Sequence, residues 1–525
     1  MNNNLTIIRE FMANNEIEYL LINSTNEFLV EYNTLDENSR YKVTKFSGST
    51  GDVLVAPDFV YLFVDGRYHI QADNEVNHNV VNVVKLTANQ NQTDEIIKKI
   101  PQGKLLGIFS KKNSKQRIDK FAKHCQIKLF DDDPLDMEVL EDINADDIFL
   151  PAELTGQTTD DKIKEITKNL NENEYIYITD LDEVSYIFNC RNFSRNYSSK
   201  IIAKALISQT DAKLFKKSEM KNLEEFLKST SATIYYDKKT INGYDFNIIK
   251  DKSKPLEKNI VQEMKSQKNQ NELKHLAQAF QKSDAALTKT RDYIKSADKI
   301  SEYDIAEFLE GQFKNQGAKC LSFKSIVARN ANSALAHYSK SSKDEIIKDG
   351  DLVLIDCGAY FEGGLATDMT RVFVKGEPTE LHKKIYTHVL RAFLLAFNYV
   401  QSCGKSEITG FEIDDAVHKY FDSQKLDGFV FNHGLGHGIG VNVHEYPPKL
   451  STHEISKVQI KNGMCFSIEP GLYKESCFGV RLENSCYFEN GKIISFSNMC
   501  FEEKLIDYAM LTDIEKQQLA KFKVK

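Results

Sequence analysis

Hydrophobic positions recur at helical spacing in some segments and form short strand-like runs in others. Together these two patterns predict a mixed α/β protein. Apolar residues at helical spacing predict a helix over residues 5–15, and short apolar runs predict strands at 19–22, 51–55 and 61–64. Asp65-Gly66 follows the last of these strands as a turn signal. The same patterns predict later helices at 160–171, between 259 and 296, at 381–400 and at 412–423, and strands at 175–178 and 200–208.

Length and glycine usage indicate several domains, with the chemistry in the last of them. A chain of 525 residues has room for about three domains. The acidic segment 131–150, punctuated by Pro134 and Pro151, predicts a linker. Seven of the 25 glycines precede residue 271 and eighteen follow it. Because glycine allows sharp turns and close approach to a ligand, we expect the functional site in the C-terminal half.

Charge and cysteine usage exclude some classes of function. The net charge is -8 and the pI about 5.9, which argues against nucleic acid as the main partner. Residues 1–22 mix charged with apolar positions, unlike a signal peptide, and no run of 18 apolar residues predicts a membrane span. Nine cysteines without a CxxC pair favour a reduced, cytoplasmic protein.

Several well-known catalytic motifs fail on spacing. His444-Glu445 is followed by Tyr446 and two prolines, which excludes a helical HExxH site. The glycine-rich run 434–440 matches neither a dinucleotide-binding loop nor a P-loop, and there is no GxSxG elbow. A Cys/His pair that meets only in space stays open at this point.

Four carboxylates stand beside apolar strand patterns and form the strongest chemical signal. They are Asp356 after 352–355, Asp368 before 369–373, Glu469 after 464–468, and Glu483 after 480–482, where it shares a face with Arg481. Burying four carboxylates is prohibitive unless cations neutralise them, and two divalent ions would balance their charge. Oxygen ligands with one imidazole suit Mn or another divalent metal better than a thiolate-rich structural zinc site does.

These residues resemble the metallopeptidase family of aminopeptidase P, prolidase, creatinase and methionine aminopeptidase, which share the pita-bread fold. The segments that carry the resemblance are 355–359, 367–371, 433–440 with its continuation to 443–445, 469–473 and 479–483. Segments 46–51 and 65–68 resemble the first creatinase-type domain of long aminopeptidases P, 181–191 resembles the second, and 506–512 resembles their tail. The chain is thus identified as a member of the three-domain, cytosolic aminopeptidase P type.

The resemblance implies a fold class and domain boundaries. We expect an α/β (α+β) chain with two creatinase-type N-terminal domains, residues 1–140 and 150–260, followed by a C-terminal pita-bread catalytic domain, residues 263–525. Two features depart from the family pattern. The spacing from Asp356 to Asp368 is one residue longer than expected, and the chain contains no tryptophan.

The implied activity is hydrolysis of the N-terminal Xaa-Pro bond of peptides by a hydroxide that bridges two metal ions. The expected ions are Mn²⁺, with Zn²⁺ or Co²⁺ possible. One ion would be held by Asp356, Asp368 and Glu483, and the other by Asp368, His437, Glu469 and Glu483. The resemblance also implies that Glu469 accepts the proton of the attacking water.

Further residues receive auxiliary roles from the same resemblance. His337 and His444 are expected to bind the substrate, stabilise the oxyanion and assist proton transfer. His433 is expected to line the proline pocket, and Arg481 to orient the metal carboxylates beside the substrate. For Arg371 two interpretations stay open, an exposed strand residue or a part of the site.

Two alternatives compete with the aminopeptidase hypothesis. The first is a prolidase restricted to Xaa-Pro dipeptides, which is disfavoured because prolidases lack the middle domain. The second is a non-catalytic pita-bread protein that binds peptides or histones, disfavoured because all five metal-ligand positions are filled. The expected partners are peptides with proline at the second position and a second copy of the chain in a homodimer, without nucleic acid or membrane.

Overall fold

The computed structural model describes residues 3–87, 90–136, 146–404 and 407–524. The chain divides into two compact units. The first comprises Met1–Asp147, Thr158–Cys190 and Ile201–Val261, and the second comprises Ile148–Gln157, Arg191–Lys200 and Gln262–Lys525. The middle of the predicted linker, residues 137–145, lies outside the described residues, and the three predicted domain boundaries stay predictions.

The first unit begins with a six-stranded sheet and its helices. In spatial order the strands are Val81–Lys85, Val60–Val64, Asp52–Val55, Tyr19–Ile22, Leu105–Phe109 and Gln126–Phe130. The helices are Asn3–Asn14, Ser39–Thr44, His69–Glu75, Gln92–Ile97 and Lys115–Ala122. The predicted first helix and the three predicted strands are confirmed to within two residues.

The turn signal at Asp65-Gly66 marks the start of a short helix. The hairpin pairs Asp52–Val55 with Val60–Val64, so the hairpin turn lies at residues 56–59. Asp65 instead accepts a hydrogen bond from the backbone N–H of Arg67 and caps the 3-10 helix Gly66–Tyr68. A short polar side chain favours both turns and helix N-caps, so local sequence alone does not separate the two.

A second, five-stranded sheet completes the first unit. In spatial order its strands are Ala212–Lys216, Ala203–Ile207, Glu174–Ile178, Thr233–Tyr236 and Ser253–Pro255. The helices around it are Thr159–Thr167, Leu181–Ile187, Met220–Ser229 and Gly243–Ile249. The two strands predicted at 175–178 and 200–208 are confirmed, whereas the helix predicted to reach residue 171 ends at Thr167.

The helices of the second unit include those that the sequence predicts between 259 and 296, at 381–400 and at 412–423, and others that it does not predict. They are Ala152–Thr155, Ile260–Ser266, Gln270–Ser296, Glu302–Asn315, Glu380–Phe397, Tyr399–Cys403, Gly410–Asp422 and Asp513–Leu519. Asn269 separates the second and third of these, because its side chain accepts hydrogen bonds from the backbone N–H groups of Asn271 and Glu272. No helix in the described part of the chain is both long enough and apolar enough to cross a membrane.

Antiparallel strands form the sheets of the second unit. A three-stranded sheet joins Ile326–Arg329, Leu352–Cys357 and Met369–Val374. A five-stranded sheet joins Glu445–Leu450, Gly436–Gly438, Cys465–Ile468, Asn484–Glu489 and Lys492–Ser495. Two-stranded ladders pair Gly471–Lys474 with Phe478–Arg481, and Cys320–Leu321 with Ala359–Tyr360.

The central strand Leu352–Cys357 is buried on both faces. On one face Leu354 belongs to the same apolar cluster as Val389 of the helix Glu380–Phe397. On the other face Ile355 shares a cluster with Leu287, which lies on the helix Gln270–Ser296. This two-sided burial explains why the sequence shows a continuous apolar run here instead of strict alternation. It also places Asp356, the acidic residue of this strand, deep in the second unit.

Gly358, directly after this strand, offers a test of the packing. A Cβ atom at this position would lie 1.9 Å from the backbone oxygen of Thr367 and 2.4 Å from the hydroxyl of Ser322. We expect Gly358→Ala to lower the free energy of unfolding by about 1–3 kcal/mol, the usual cost of overpacking. Chemical denaturation measures this change.

Gly311→Ala is the matched control. Gly311 lies in the helix Glu302–Asn315, and its added Cβ would meet no atom within 4 Å. Alanine favours a helix interior by about 0.5–1 kcal/mol over glycine, so this variant should be slightly more stable than the parent. Equal stability of the two variants would contradict the packing described here.

Candidate metal centre

Strand pairing brings the first two carboxylates together. In the antiparallel register of Leu352–Cys357 with Met369–Val374, Asp356 lies opposite Thr370. Asp368 immediately precedes the second strand, so both carboxylates lie at the same end of this strand pair. Both residues are buried, with 8% and 5% of their surface exposed.

The other two carboxylates come from the neighbouring sheet. Glu469 directly follows the strand Cys465–Ile468, as the alternation predicts. Glu483 lies between the strands Phe478–Arg481 and Asn484–Glu489, where the pattern predicted one continuous strand. The interruption lets the backbone N–H of Glu483 donate to the oxygen of Thr370 instead of to a partner within its own sheet.

His437 completes the cluster. Its Nε2 atom lies 3.5 Å from Oδ2 of Asp368 and 3.4 Å from Oε1 of Glu469. Ligand atoms of Asp368, His437 and Glu483 all lie within 4.8 Å of one another. Nδ1 of His437 lies 3.1 Å from the carbonyl oxygen of Gly438. A proton on Nδ1 would bond that oxygen and leave Nε2 as the ligand atom that faces the carboxylates.

Burial and mutual repulsion raise the pKa values of three of these carboxylates, those of Asp368, Glu483 and Glu469. Burial raises the pKa of Asp368 well above its ordinary value, and the charges of Glu483 and Asp356 raise it further. Burial likewise raises the pKa of Glu483, with Glu469 and Asp356 adding to the effect. Burial raises the pKa of Glu469 to about 7, although the charge of Arg481 works in the opposite direction. Without another cation, the cluster therefore holds protons.

Within this cluster, two buried carboxylate oxygens lack hydrogen-bond partners among the described residues: Oδ1 of Asp356 and Oε1 of Glu483. The other oxygen of each group is fixed, by Arg481 for Asp356 at 2.5 Å and by the Thr370 hydroxyl for Glu483 at 2.7 Å. A buried acceptor without a donor is costly, and a cation is the partner that such an oxygen prefers. The donor set therefore fits divalent metal ions.

Arg481 is the cation that the structure places in contact with the cluster. Its side chain is 2% exposed. The guanidinium donates to Asp356, to the hydroxyl of Thr370 at 3.2 Å and to the hydroxyl of Tyr473 at 2.8 Å. Its Nε also lies 4.0 Å from Glu469. One guanidinium beside four carboxylates leaves a large negative excess.

The three auxiliary histidines lie in different surroundings. The ring of His444 packs edge-on against that of His437, with 4.5 Å between ring centroids. His433 lies 2.8 Å from the Tyr473 hydroxyl through Nε2. Half-buried His337 follows the 3-10 helix Asn330–Ala334. Hydrogen bonds between residues 333 and 479 hold that helix against the strand of Arg481.

Sequence reasoning missed three polar residues that hold these groups. Thr370 joins Arg481 to Glu483 through its hydroxyl. Ser467 donates to Glu469 at 3.1 Å and accepts from the backbone N–H of His437 at 3.1 Å. Tyr473 joins Arg481 to a histidine, and burial raises its pKa to about 12. Thr370 and Ser467 each lie two residues from a predicted ligand, a spacing that places them on the ligand's face of the strand.

Arg371 is fully buried, so the interpretation as an exposed strand residue is wrong. Its guanidinium donates to the backbone oxygens of Glu483, Met499 and Cys500. It also lies over the ring of Phe501, 4.7 Å from the centroid. Arg371 therefore fixes the backbone of one carboxylate residue from behind and does not belong to the ligand cluster itself.

Residues 274–490, which contain all five predicted ligands, match the profile of Metallopeptidase family M24. This part of the chain is therefore similar to metallopeptidase family M24. Residues 142–272 match the Creatinase/Prolidase N-terminal domain.

Curated relatives align with nearly the whole length of this chain. Xaa-Pro aminopeptidase 1 of Dictyostelium discoideum is 27% identical, over 97% of this chain and 90% of the relative. A probable Xaa-Pro aminopeptidase P of Laccaria bicolor is also 27% identical, over 99% and 88% of the two chains.

A solved structure shares the fold. It is the X-prolyl aminopeptidase of Caenorhabditis elegans, a cytosolic enzyme with a di-nuclear active site. Its TM-score is 0.83 at 22% identity, over 96% of this chain and 91% of that one. This likeness shows that the fold expected from the sequence, creatinase-type N-terminal domains and a pita-bread catalytic domain, is correct.

The raised carboxylate pKa values predict how the stability of the metal-free protein depends on pH. A carboxyl group with a raised pKa binds more protons in the folded state, so stability falls as pH rises from the unfolded pKa through the folded one. For Glu469 this window extends from 4.5 to about 7. We expect chelator-treated protein to lose stability across this window, and Glu469→Gln to lose less. Denaturation at pH 5, 6, 7 and 8 measures both.

Bound divalent ions should remove most of this pH dependence at and above pH 7, because they replace the protons. The matched measurement is the same denaturation series with added Mn²⁺. Identical slopes for the parent and Glu469→Gln, both without metal, would show that the electrostatics of this cluster are not as described.

Proposed function

We propose that this protein is a metallo-aminopeptidase that hydrolyses the N-terminal Xaa-Pro bond of peptides. The observation that carries the proposal is the buried ligand cluster, in which two carboxylate oxygens lack donors among the described residues. It lies in an M24 domain whose curated relatives, similar over nearly the whole chain, are Xaa-Pro aminopeptidases. A binding protein that had lost catalysis would have no need of so costly a charge cluster.

Two divalent metal ions fit the donor set. Asp356, Asp368 and Glu483 would hold one ion, and Asp368, His437, Glu469 and Glu483 the other. Bound ions supply Lewis-acid polarisation of the scissile carbonyl and lower the pKa of the attacking water. We propose Mn²⁺, because four carboxylates and one imidazole form a hard, oxygen-rich donor set. Zn²⁺ and Co²⁺ are the alternatives that metal analysis would distinguish.

Glu469 is suited to take up the proton of the attacking water. Its side chain is the most exposed of the four, 17% against 12% for Asp356 and 7% for Asp368. The Ser467 hydroxyl bonds Oε1 and holds the carboxylate in a fixed orientation. A half-buried, oriented carboxylate can exchange a proton with a bound water without moving.

The histidines and Arg481 act on the substrate around this carboxylate. We propose that His444, packed against His437, and His337 donate hydrogen bonds to the oxyanion that forms at the scissile carbonyl. His433 would border the proline ring, and its bond to Tyr473 makes that wall rigid. Arg481 keeps Asp356 in place and contributes the positive charge nearest to the substrate.

Substrate choice follows from the chemistry of proline. The Xaa-Pro bond has no N–H and its ring fixes φ, so a dedicated site needs an apolar niche for the ring. We propose three domains, with boundaries at 1–140, 150–260 and 263–525. A homodimer is proposed by analogy with long aminopeptidases P.

A cytoplasmic location accords with the state of the thiols. Cys357, Cys465, Cys486 and Cys500 are free and buried. Burial raises the pKa of Cys465 to about 12, so its thiol stays protonated and unreactive. Unpaired thiols of this kind are typical of proteins in a reducing compartment.

A peptide panel distinguishes the aminopeptidase from a dipeptide-restricted prolidase. With equal Mn²⁺, we expect Arg-Pro-Pro to be cleaved after its first residue faster than Arg-Pro is cleaved, because no motif suggests a group that binds a carboxylate directly after proline. N-acetyl-Arg-Pro-Pro should resist cleavage, because its amine is blocked. Chromatography of the products measures all three rates, and chelator-treated protein is the control. Faster cleavage of Arg-Pro would assign the protein to the prolidases, and no cleavage of either would favour the binding protein.

A second test separates metal ligands from auxiliary groups. Asp368→Asn and Glu483→Gln should lose both bound metal and turnover, because each removes charge from the centre of the cluster. His444→Ala should keep its metal and lose on the order of 10²–10³ in rate, the usual cost of a missing oxyanion donor. Metal analysis by mass spectrometry and steady-state kinetics provide the two readouts. Loss of metal from His444→Ala would show that this histidine is a ligand.

A further inference from the structure

Glu445 directly follows His444 and lies in a buried charge cluster. Its carboxylate contacts the ammonium groups of Lys268, through Oε1, and of Lys265, through Oε2 at 3.2 Å. The side chains of Glu445, Lys268 and Lys265 are 0%, 2% and 4% exposed. Lysine and glutamate are almost never buried so completely unless they are paired. This ion cluster is therefore a built feature of the second unit.

The glycine-rich run next to His437 makes room for this glutamate. A Cβ atom at Gly440 would lie 2.2 Å from Oε2 of Glu445, and one at Gly438 would lie 2.3 Å from its backbone oxygen. The sequence pattern matched no phosphate-binding loop, and the structure gives the glycines another purpose. They let the backbone near His437 approach Glu445 more closely than any side chain would allow.

The carboxylate also closes the loop that joins the two histidines of the site. Oε2 of Glu445 accepts a hydrogen bond from the backbone N–H of Val441 at 3.2 Å. In the strand pairing, Glu445 lies opposite Gly438, the residue after His437. Residues 437 and 445 are thus held on adjacent backbones, and the chain between them has little freedom.

His444 and Glu445 have different surroundings although they are neighbours in sequence. His444 lies in the bend directly before the strand Glu445–Leu450, so the direction of its ring depends on how the start of that strand is held. The carboxylate of Glu445 points towards Lys268 and Lys265, while the ring of His444 packs against His437 with 4.5 Å between centroids. Anchoring one side chain of such a pair fixes the direction of the other.

The lysines are themselves fixed, so they form a rigid anchor. Lys265 lies on the helix Ile260–Ser266. Lys268 follows it, and its backbone N–H donates to the oxygen of Gly463 at 2.9 Å, just before the strand Cys465–Ile468 that leads to Glu469. The ion cluster therefore connects the His444 loop to the start of the strand that carries a predicted metal ligand.

We propose that Glu445, held by Lys265 and Lys268, is a positioning residue that aims the His444 imidazole at the reacting carbonyl. This inference rests on the proposed function, in which His444 stabilises the oxyanion. Glu445 does not belong to the ligand cluster, and its effect on the reaction passes through the orientation of the neighbouring ring. Groups that orient a catalytic side chain in this way typically affect activity by about 10- to 100-fold.

The test is a double-mutant cycle between Glu445→Gln and His444→Ala in the full-length, Mn²⁺-loaded enzyme. Glutamine keeps the size of the side chain and removes the charge that binds both lysines. We expect Glu445→Gln to lower kcat by about 10- to 100-fold with KM for Arg-Pro-Pro and bound metal little changed. In the His444→Ala background, the same substitution should cost less than about threefold, because the group it orients is gone.

Provided that His444→Ala lowers kcat, two outcomes would overturn the inference. One is an equal loss of kcat from Glu445→Gln in both backgrounds, which would make its effect independent of His444. The other is loss of bound metal from Glu445→Gln, which would place its effect on the ligands instead. If His444→Ala alone left kcat unchanged, the proposed role of His444 would fail, and the inference with it. If His444→Ala lowers kcat but the effects of the two substitutions are additive, only the inference about Glu445 is contradicted. The proposed role of His444 would then stand.

Two further variants keep the test decisive. Removing the charge of Glu445 leaves two buried ammonium groups without their partner, so folding is checked by thermal melting. Should Glu445→Gln fail to fold, Lys265→Met is the substitute, because it removes only the longer of the two lysine contacts of Glu445. Its loss of kcat should be smaller and should again depend on the presence of His444. Glu454→Gln breaks an exposed Glu–Lys pair with Lys457 at 2.7 Å and is the matched control, expected to keep full activity.

Discussion

Four carboxylates converge at the ends of apolar strands, and their repulsion is the constraint on which the second unit depends. Burial raises the pKa values of Asp368 and Glu483 well above their ordinary values, and the neighbouring carboxylates raise them further. Among the described residues one guanidinium contacts the cluster, that of Arg481, and it offsets only part of this charge. Such a cluster persists in a folded protein only when rigid backbone holds it and cations complete it.

Rigidity comes from hydrogen bonds behind the cluster. Thr370, Ser467 and Tyr473 each bond a carboxylate, a histidine or Arg481 and so hold these groups in place. Arg371 fixes the backbone oxygen of Glu483 together with those of two residues near the C-terminal end. Donors and acceptors fixed before the substrate binds need no reorganisation during the reaction, which is the main source of electrostatic catalysis.

Close packing determines the shape of the glycine-rich segment 434–440. Gly438 and Gly440 approach Glu445 so closely that any side chain there would overlap it. This close approach puts a buried ion cluster on one side of the loop and the pair His437 and His444 on the other. A buried salt bridge holds the loop in shape. If either partner were missing, the other would be left as a costly unpaired buried charge.

Much of this protein could be predicted from the sequence by itself. The apolar runs located the strands that carry Asp356, Asp368 and Glu469, because hydrophobic periodicity is a local property that survives in any fold which buries those strands. The ligand candidates followed from the order and spacing of short motifs. The cost of burying unpaired charge then indicated metal ions.

Other features were decided only by tertiary structure. The strand predicted to continue through Glu483 ends at Arg481, since Glu483 bonds Thr370 of another sheet. The Arg481–Asp356 contact joins residues 125 positions apart, and the Lys268–Glu445 contact joins residues 177 apart. Periodicity describes which face of an element is buried but not which element packs against it. These partners are set by strand register and side-chain packing, which exist only in the folded chain.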